Sequence, residues 1–265
     1  MHTRRIISLI TDFGDKSGYV GVLKGVILSV NPDCQIVDIS HQIAPQDREE
    51  AAVVLKNTYS FFPPESIHLV VVDPDVGSKR KPILIESGTH WFVGPDNGVL
   101  SCALLMEGFR KVWEITNTRY FLPRVSTTFH GRDIFAPVAA HLSLGVPAHD
   151  LGKELKHCVR LEALEPEIVQ GVIKGRVVYA DHFGNVISNI SYNLFNAVVA
   201  DKPFRITIGE AVIETISPSY AGAREGEVIA LFGSSQQLEI AVRNGNCQRT
   251  LQVEKGAEIS VRPLT

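Results

Sequence analysis

The sequence contains no long apolar run and no excess of positive charge. None of its segments approaches the roughly 18 uninterrupted apolar residues that a membrane-spanning helix needs. Its 26 Lys and Arg residues stand against 29 Asp and Glu residues, which gives a formal net charge of -3. Phosphate contacts require a basic face, so we expect neither nucleic acid nor membrane as a partner, but a small molecule. With 265 residues, the chain can form one large globular domain or two smaller ones.

Cysteine is also scarce, and its spacing excludes the common cysteine-based sites. Four cysteines lie far apart, without a CxxC pair or metal-ligand spacing: Cys34, Cys102, Cys158 and Cys247. Free thiols in a reducing cytoplasm are therefore expected. The stretch MHTRRIISLITDFG places two arginines before an apolar segment, as a signal peptide does, but this segment breaks at Thr11 and Asp12. We interpret it as the first strand and expect a cytoplasmic protein.

The first part of the chain alternates β-rich runs with segments of helical periodicity. The order is IISLIT, GYVGVLKGVILSV, QIVDI, DREEAAVVLKNTYSFF and IHLVVV. Such alternation is typical of βαβ units, so we predict an α/β domain with a mostly parallel central sheet covered on both faces. PILIES and HWFVG are further strand candidates around a Gly88-Thr89 turn, and residues 133–144 are predicted as a helix that Gly145 closes.

The second part of the chain has a different pattern. Residues 151–170 are charged and irregular, which predicts a linker. The helical period then nearly disappears, and short alternating strands are separated by glycines, as in a small antiparallel barrel or sandwich. We therefore predict an α/β domain over residues 1–160 and a smaller all-β, barrel-like domain over residues 161–265.

Acidic residues stand at the ends of three early strands: Asp12 after IISLIT, Asp38 in QIVDI and Asp73 after HLVVV. In open α/β sheets the ligand binds beyond the carboxyl ends of the strands, so these three acids are candidates for one crevice. Each could instead cap a helix or a turn. For Asp38 the turn interpretation is favoured, because Ser40 and His41 follow it.

The phosphate-binding motifs of nucleotide-binding proteins are missing after the first strand. GxGxxG is absent, GYVGVLKG has the wrong spacing, and there is no Walker A sequence. Asp12 stands where a dinucleotide-binding protein has its glycine-rich pyrophosphate turn. An acid at this place suits ribose hydroxyls better than phosphate.

Polar residues also mark other loops. VVVDPDVGSKR brings Asp73 and Arg80 close in sequence, and STTFHGRDIF places His130 beside a glycine in a loop that leads into a helix. Glycine lets backbone approach a ligand closely, so His130 is the best candidate among the histidines for catalysis. GPDNG is a turn composition that needs no function. DHFGN is either a simple turn or a site that binds an amine and the edge of a base. FGSS is either a simple loop or a site that binds a carboxylate.

In this order, TDFG, VDPDVGSKR, TFHGRDIF, DHFGN and GSSQQLEIAV resemble the S-adenosylmethionine (SAM) hydrolases, also called SAM hydroxide adenosyltransferases, which are relatives of fluorinase and chlorinase. The resemblance spans nearly the whole chain. It implies an N-terminal α/β catalytic domain, a C-terminal barrel-like domain that contributes to the adenosine and methionine site, and a homotrimer with active sites between subunits. It further implies attack of water or hydroxide on ribose C5′ of SAM, giving adenosine and methionine, without a cofactor or a metal.

The resemblance also implies a role for individual residues. The catalytic set would be Asp73, Arg80 and His130, with Arg80 stabilising developing hydroxide and the other two holding water and accepting its proton. The substrate would be bound by Asp12 at the ribose diol, Phe129 at adenosine, Asp181 at the methionine amine, Asn185 at adenine, Ser234 at the methionine carboxylate, and backbone groups of Asn246 and Cys247 near adenine.

Two departures from related patterns are informative. The halogenases have Tyr at the position of Asp73, Thr at that of Val76 and Tyr-Ser at His130-Gly131, so the hydroxyls that hold halide are missing here and water is the expected nucleophile. The hydrolase motif reads DPGVG, and this chain has Asp75 in place of the first glycine of that motif. Asp75 would be strained if the position required positive φ.

Two other functions remain open from the sequence. Asp12, Asp73, Asp96 and His130 could bind a divalent metal in a phosphohydrolase. The chain could also be a non-catalytic sensor of adenosine or SAM.

Overall fold

A computed structural model describes residues 5–104, 109–161 and 165–264, with only the backbone described at residues 109 and 110. The chain divides into two compact units, Met1–Leu161 and Glu162–Thr265. In the described part of the chain, no helix has both the length and the apolar character needed to cross a membrane.

The first unit is a seven-stranded sheet with helices. Its strands are β1 (Ile6–Thr11), β2 (Gln35–Ser40), β3 (Ile67–Val71), β4 (Pro82–Ser87), β5 (His90–Pro95), β6 (Phe109–Ile115) and β7 (Gly152–Leu155). Its helices are α1 (Tyr19–Val30), α2 (Arg48–Thr58), α3 (Ser101–Leu104), α4 (Ala136–Ser143) and α5 (Ala148–Leu151). Short 3₁₀ turns cover Tyr59–Phe61 and Thr118–Tyr120, and a π-helical turn covers Gly131–Phe135.

The sheet is mixed, so the prediction of a mostly parallel sheet is only partly right. Its strand order is β2-β1-β3-β5-β4-β6-β7. The β1–β2, β1–β3 and β3–β5 pairs are parallel, whereas β4–β5, β4–β6 and β6–β7 are antiparallel. The tight connection at Gly88 forces this change of direction, because only antiparallel strands can be joined by so short a turn. Strand β7 lies inside the predicted linker, which is therefore wrong for residues 152–155.

Alternate residues of the central strands pack on opposite faces of the sheet. Leu9 belongs to a buried cluster with α1 and α4, and its neighbour Ile10 belongs to a second cluster with α2 and α3. Every residue of β3 is buried. The apolar runs predicted that both faces of the sheet are covered. With both faces covered, the carboxyl ends of the strands are the part of the sheet that a ligand can reach.

The predicted helix over residues 133–144 is confirmed with a different start. The π-helical turn Gly131–Phe135 continues directly into α4, and the helix ends before Gly145, whose φ is +91°. Glycine accepts this left-handed conformation without a Cβ clash.

The second unit is an antiparallel sheet in a nearly closed, barrel-like form, as predicted. Its strands are β8 (Glu167–Val169), β9 (Val172–Ala180), β10 (Val186–Ser191), β11 (Phe204–Ile208), β12 (Ala211–Ile213), β13 (Val228–Phe232), β14 (Gln237–Val242) and β15 (Glu258–Pro263). The order is β12-β11-β15-β9-β10-β14-β13, and β8 pairs with β9. The unit is not purely β, since it contains α6 (Tyr192–Val199) and α7 (Cys247–Leu251), capped by Ser191 and Asn246.

Candidate active site

A cavity of about 380 Å³ opens at the carboxyl ends of β1 and β3. The end of β1 contributes Asp12, and the end of β3 contributes Asp73. The loop before the π-helical turn adds Phe129 and His130. The remaining lining residues are Phe13, Tyr19, Gln46, Val71, Pro74, Val76, Thr128 and Gly131. Two of the three predicted strand-end acids therefore share one crevice.

Asp73, Arg80 and His130 form one hydrogen-bonded set. Nε of Arg80 donates to Asp73 Oδ1 at 2.9 Å and to Oδ2 at 3.0 Å, and Nη2 of Arg80 also binds Oδ2. The same Nη2 lies 2.7 Å from Nδ1 of His130. A planar guanidinium presents several donors in a fixed geometry, which suits such simultaneous contacts. The three residues that the resemblance selects are thus brought together.

Arg80 lies behind the other two residues, and it is not among the residues that line the cavity. Its side chain is only 6% exposed, and the guanidinium packs over the ring of Phe135 at 5.1 Å from the centroid. Nη1 of Arg80 is buried without a hydrogen-bond partner among the described residues. Asp73 and His130 face the cavity, and Arg80 holds both.

The protonation state of His130 follows from its neighbours. Burial lowers the pKa of His130, and the positive charge of Arg80 lowers this pKa further. Because Arg80 can only donate, Nδ1 of His130 must accept, and the ring proton is on Nε2. The ring also has a hydrogen bond to the backbone of Ser126, which raises the pKa of His130 by less than burial and Arg80 lower it, so the imidazole is neutral.

Two glycines allow the loops to approach each other at the site. Gly77 has φ of +80°, and a Cβ there would lie 2.3 Å from the carbonyl oxygen of Thr127. A Cβ at Gly131 already lies 3.2 Å from Val71 Cγ1, so the serine of the halogenase pattern would meet a crowded position. Asp75 is exposed and has no positive φ, so the strain expected at this position does not arise.

A buried acid organises the loop that carries His130. The Asp133 side chain is fully buried and accepts from Ser126 N–H at 2.8 Å and from Arg132 Nε at 2.6 Å. Burial alone would raise the pKa of Asp133, but these hydrogen bonds hold it below its usual value. Asp133 is therefore a structural anchor of this loop, and Phe129 and His130 are placed by it.

Asp12 and an aromatic group form the opposite wall. Asp12 Oδ2 accepts from the backbone N–H of Gln46 at 2.8 Å. The rings of Phe13, Tyr19 and Phe129 meet edge to face, with centroid distances of 5.3 to 5.9 Å. Phe129 was predicted here, whereas Phe13, Tyr19 and Gln46 were not. The segment TDFGDKSGY contains both missed aromatics, but nothing local shows that they turn towards the same loop.

In the second unit, Asp181 and Asn185 line a separate cavity of about 690 Å³. Asp181 Oδ1 accepts from the N–H groups of Phe183 and Asn185, both at 2.9 Å, and Oδ2 accepts from Asn185 Nδ2 at 3.0 Å. The acid therefore stabilises the DHFGN turn, as the simple-turn interpretation predicts. It also borders an open cavity, as a binding role requires.

The other predicted residues of this unit are distributed around it. Asn246 caps α7 by accepting from Arg249 N–H at 2.9 Å, and its side chain packs against Gly184, where a Cβ would lie 2.1 Å away. Cys247 is fully buried in the core of the unit. Ser234 is exposed in the turn between β13 and β14 and does not line the cavity.

Sequence reasoning missed a buried carboxyl group near Asp181. Glu239 is 5% exposed, and its Oε1 accepts from the hydroxyl of Tyr220 at 2.5 Å. Burial raises the pKa of Glu239, and the negative charge of Asp181 raises it further. The only sequence signal was one acid within the apolar strand QLEIAV.

Asp38 and Asp96 do not line the first cavity. Asp38 contacts Lys24 Nζ at 2.5 Å and His41 Nε2 at 3.1 Å. Asp96 Oδ1 accepts from Val159 N–H at 2.7 Å, which gives the acid of GPDNG a structural contact. Within the described ranges, no three His, Cys, Asp or Glu side chains are arranged to hold a metal ion. Of the four residues of the phosphohydrolase alternative, Asp12, Asp73 and His130 line the first cavity, and Asp96 does not.

Comparison with known families decides the relationship. Residues 7–152 match the SAM hydroxide adenosyltransferase N-terminal domain, and residues 175–260 match the C-terminal domain. The chain belongs to this family. The resemblance drawn from the five motifs is confirmed.

Proteins named as SAM hydrolases and as a fluorinase align over nearly the full chain. The (R)-S-adenosyl-L-methionine hydrolase of Methanocaldococcus jannaschii is 35% identical, with 97% of this chain and 95% of the relative covered. The hydrolase of the same name from Salinispora tropica is also 35% identical, with coverages of 96% and 97%. A fluorinase from Nocardia brasiliensis is 27% identical, with coverages of 98% and 97%.

A solved structure of a conserved protein from Thermotoga maritima has the same fold as this family member. Its TM-score is 0.89 at 38% identity, and the alignment covers 97% of this chain and 99% of the other.

Proposed function

We propose that this chain hydrolyses SAM to adenosine and L-methionine by attack of water on ribose C5′. The observation that carries the proposal is the hydrogen-bonded set of Asp73, Arg80 and His130 at a cavity that Asp12 also lines. The full-length relationship to proteins named (R)-S-adenosyl-L-methionine hydrolase supports the same substrate. The reaction forms an O–C5′ bond and breaks the C5′–S bond, whose electron pair goes to sulfur and leaves methionine as a neutral thioether.

We propose that the Asp73 carboxylate accepts the proton of the attacking water. The lone pair of His130 Nδ1 is occupied by Arg80, whereas a carboxylate oxygen can accept more than one hydrogen bond. A weak base suffices, because water becomes a strong acid as its oxygen bonds to carbon. His130 then supplies Nε2–H to the developing hydroxyl oxygen, and Arg80 orients both partners from behind. The position of Arg80 therefore favours an indirect role over direct contact with hydroxide.

Substrate binding is proposed to follow the family pattern. Asp12 would take the ribose diol and Phe129 would pack on the adenosine. Residues of the second unit would bind the rest of the substrate: Asp181 the methionine amine, Asn185 adenine, Ser234 the methionine carboxylate, and Asn246 and Cys247 the adenine edge. The open cavity beside Asp181 and Asn185 supports the first two of these assignments.

Three further features belong to the proposal. The sulfonium is already an activated leaving group, so neither a cofactor nor a metal is required. The family resemblance supports a homotrimer, with residues 1–160 as the catalytic domain. The four free thiols support a cytoplasmic location.

The test is to incubate the purified protein with SAM in ¹⁸O-labelled water and to follow the products by mass spectrometry. We expect label in the 5′-hydroxyl of adenosine, no effect of EDTA, and about a 100-fold loss of rate with His130→Ala. His149→Ala is the matched control, because that imidazole is 69% exposed. Adenosine binding without turnover would instead support a sensor, and EDTA-sensitive phosphate release from nucleotides would support a phosphohydrolase.

A further inference from the structure

His41 holds the loop after β1 at two points. Its Nδ1 lies 2.8 Å from the hydroxyl oxygen of Thr11, and its backbone carbonyl accepts from the N–H of Gly14 at 2.8 Å. The Thr11 hydroxyl also accepts from the N–H of Phe13 at 3.3 Å. Thr11 is fully buried and His41 is 7% exposed. The residues between these two points are Asp12 and Phe13, which both line the cavity.

The His41 ring is itself held from the other side. Nε2 lies 3.1 Å from Asp38 Oδ1 without hydrogen-bond geometry, so this contact is an electrostatic one, and the second oxygen of Asp38 lies 2.5 Å from Lys24 Nζ. Nδ1 of His41 and the Thr11 hydroxyl form a hydrogen bond whose direction depends on the tautomer of the ring. That hydroxyl keeps a lone pair for Phe13 N–H. Hydrogen bonds therefore connect His41 to Phe13 through Thr11, and Asp38 adds a charged contact on the far side of the His41 ring.

These contacts do not serve packing alone. A buried threonine and a buried histidine cost desolvation unless both are hydrogen-bonded, and apolar residues would fill the same space without that requirement. None of Thr11, Asp38 and His41 lines the cavity, so an effect on a ligand must pass through Asp12 or Phe13. The Asp12 carboxylate itself accepts a hydrogen bond from the backbone N–H of Gln46.

We propose that Thr11, His41 and Asp38 are positioning residues that hold the Asp12 carboxylate in the orientation that binds a ribose diol. This inference rests on the role proposed for Asp12 above. A loop acid that is already fixed loses less conformational freedom when it binds two adjacent hydroxyls. The set of Thr11, His41 and Asp38, called the clamp below, therefore raises affinity for ligands that carry this diol. Ligands without the diol gain nothing from it.

The experiment compares binding of adenosine and of 2′,3′-dideoxyadenosine by titration calorimetry. The variants are Asp12→Ala, Thr11→Val, which keeps the shape of the side chain but removes the hydroxyl, and Thr11→Ser, which keeps the hydroxyl. We expect Thr11→Val to weaken adenosine binding about tenfold, and Thr11→Ser to remain within about twofold of the wild type. Binding of the dideoxynucleoside should be unchanged in both variants and in Asp12→Ala.

Asp38→Ala provides a second variant at a partly exposed position, should Thr11→Val fail to fold. It should weaken adenosine binding about threefold, again without an effect on the dideoxynucleoside. Equal losses for both ligands, or no loss for adenosine, would overturn the clamp. If Asp12→Ala itself does not separate the two ligands, the role of Asp12 is wrong. If only Asp12→Ala separates them, the proposed function stands and the clamp fails.

Discussion

Nη2 of Arg80 lies 2.7 Å from Nδ1 of His130 while it also binds the carboxylate of Asp73. Because a guanidinium has no acceptor, this contact determines the tautomer of the imidazole. In the proposed mechanism it also gives the two residues that face the cavity different roles, with Asp73 as the acceptor of the water proton and His130 as a hydrogen-bond donor.

The first prediction concerns the pH dependence of turnover. The pKa of His130 is lowered by burial and then by Arg80, so the ring stays neutral through neutral pH and gains a proton only in more acidic solution. Protonation would break the contact between Nδ1 and Arg80. We expect kcat to be constant between about pH 7 and about pH 9 and to fall on the acid side of the ordinary histidine range. A rate that still rises with increasing pH at about pH 7 would contradict the lowered pKa of His130.

The second prediction concerns Gly77. An alanine there would be strained at φ of +80° and would also place Cβ 2.3 Å from Thr127 O, next to the loop that carries Phe129 and His130. Gly77→Ala should lower the free energy of unfolding by more than about 2 kcal/mol and reduce turnover. Gly145→Ala is the control, since φ is +91° but no atom lies within 4 Å of the added Cβ. It should cost about 1 kcal/mol in urea unfolding and leave turnover unchanged. Equal effects of the two substitutions would show that the contact with Thr127 is unimportant.

The third prediction concerns the departure from the family motif. Asp75 is exposed, has ordinary backbone geometry and does not line the cavity. We expect Asp75→Gly, which restores the family residue, to change kcat/KM by less than about twofold. An increase of about tenfold or more would mean that the Asp75 carboxylate acts on the site electrostatically.

The fourth prediction concerns acid stability and a buried histidine pair away from the cavity. His68 is fully buried. Its Nδ1 lies 2.7 Å from the hydroxyl oxygen of Ser8, and its Nε2 lies 3.4 Å from Nδ1 of His90. Burial, and then His90, lowers the pKa of His68 to about 3. The unfolded chain binds a proton below the ordinary histidine pKa while the folded chain does not, so stability falls as pH decreases from about 6.5 towards about 3.

Urea unfolding at two pH values tests this contribution. Between about pH 7 and about pH 5, His68 should remove about 2 kcal/mol from the free energy of unfolding. The matched variant combines His68→Phe with Ser8→Ala, so that no buried hydroxyl loses its partner. Its stability should fall by correspondingly less over the same interval. An identical decrease in both proteins would show that His68 does not cause the acid sensitivity.

Much of the fold could be predicted because its signals are local. The apolar runs of β1 and β3, the helix after Asp133 and the glycine-separated strands of the second unit each show their own periodicity. The mixed sheet was missed because pairing depends on which strand comes to lie beside which. PILIES and HWFVG were recognised as a hairpin, but the sequence does not show that β6 then pairs with β4 and β7 with β6.

The motifs by themselves selected the residues that are proposed to carry the chemistry: an acid after each of two strands, an arginine seven residues beyond one of them, and a histidine before a helix. Tertiary structure alone decided how they act, because hydrogen-bond direction depends on atomic positions. It placed Arg80 behind Asp73 and His130 and turned Phe13 and Tyr19 towards Phe129. It also connected Asp38, interpreted as a turn residue, to the loop of Asp12 through His41. The contacts of Arg80 with His130, of Thr11 with His41 and of Phe13 with Phe129 join residues distant along the chain, and only packing of the intervening strands and loops brings them together.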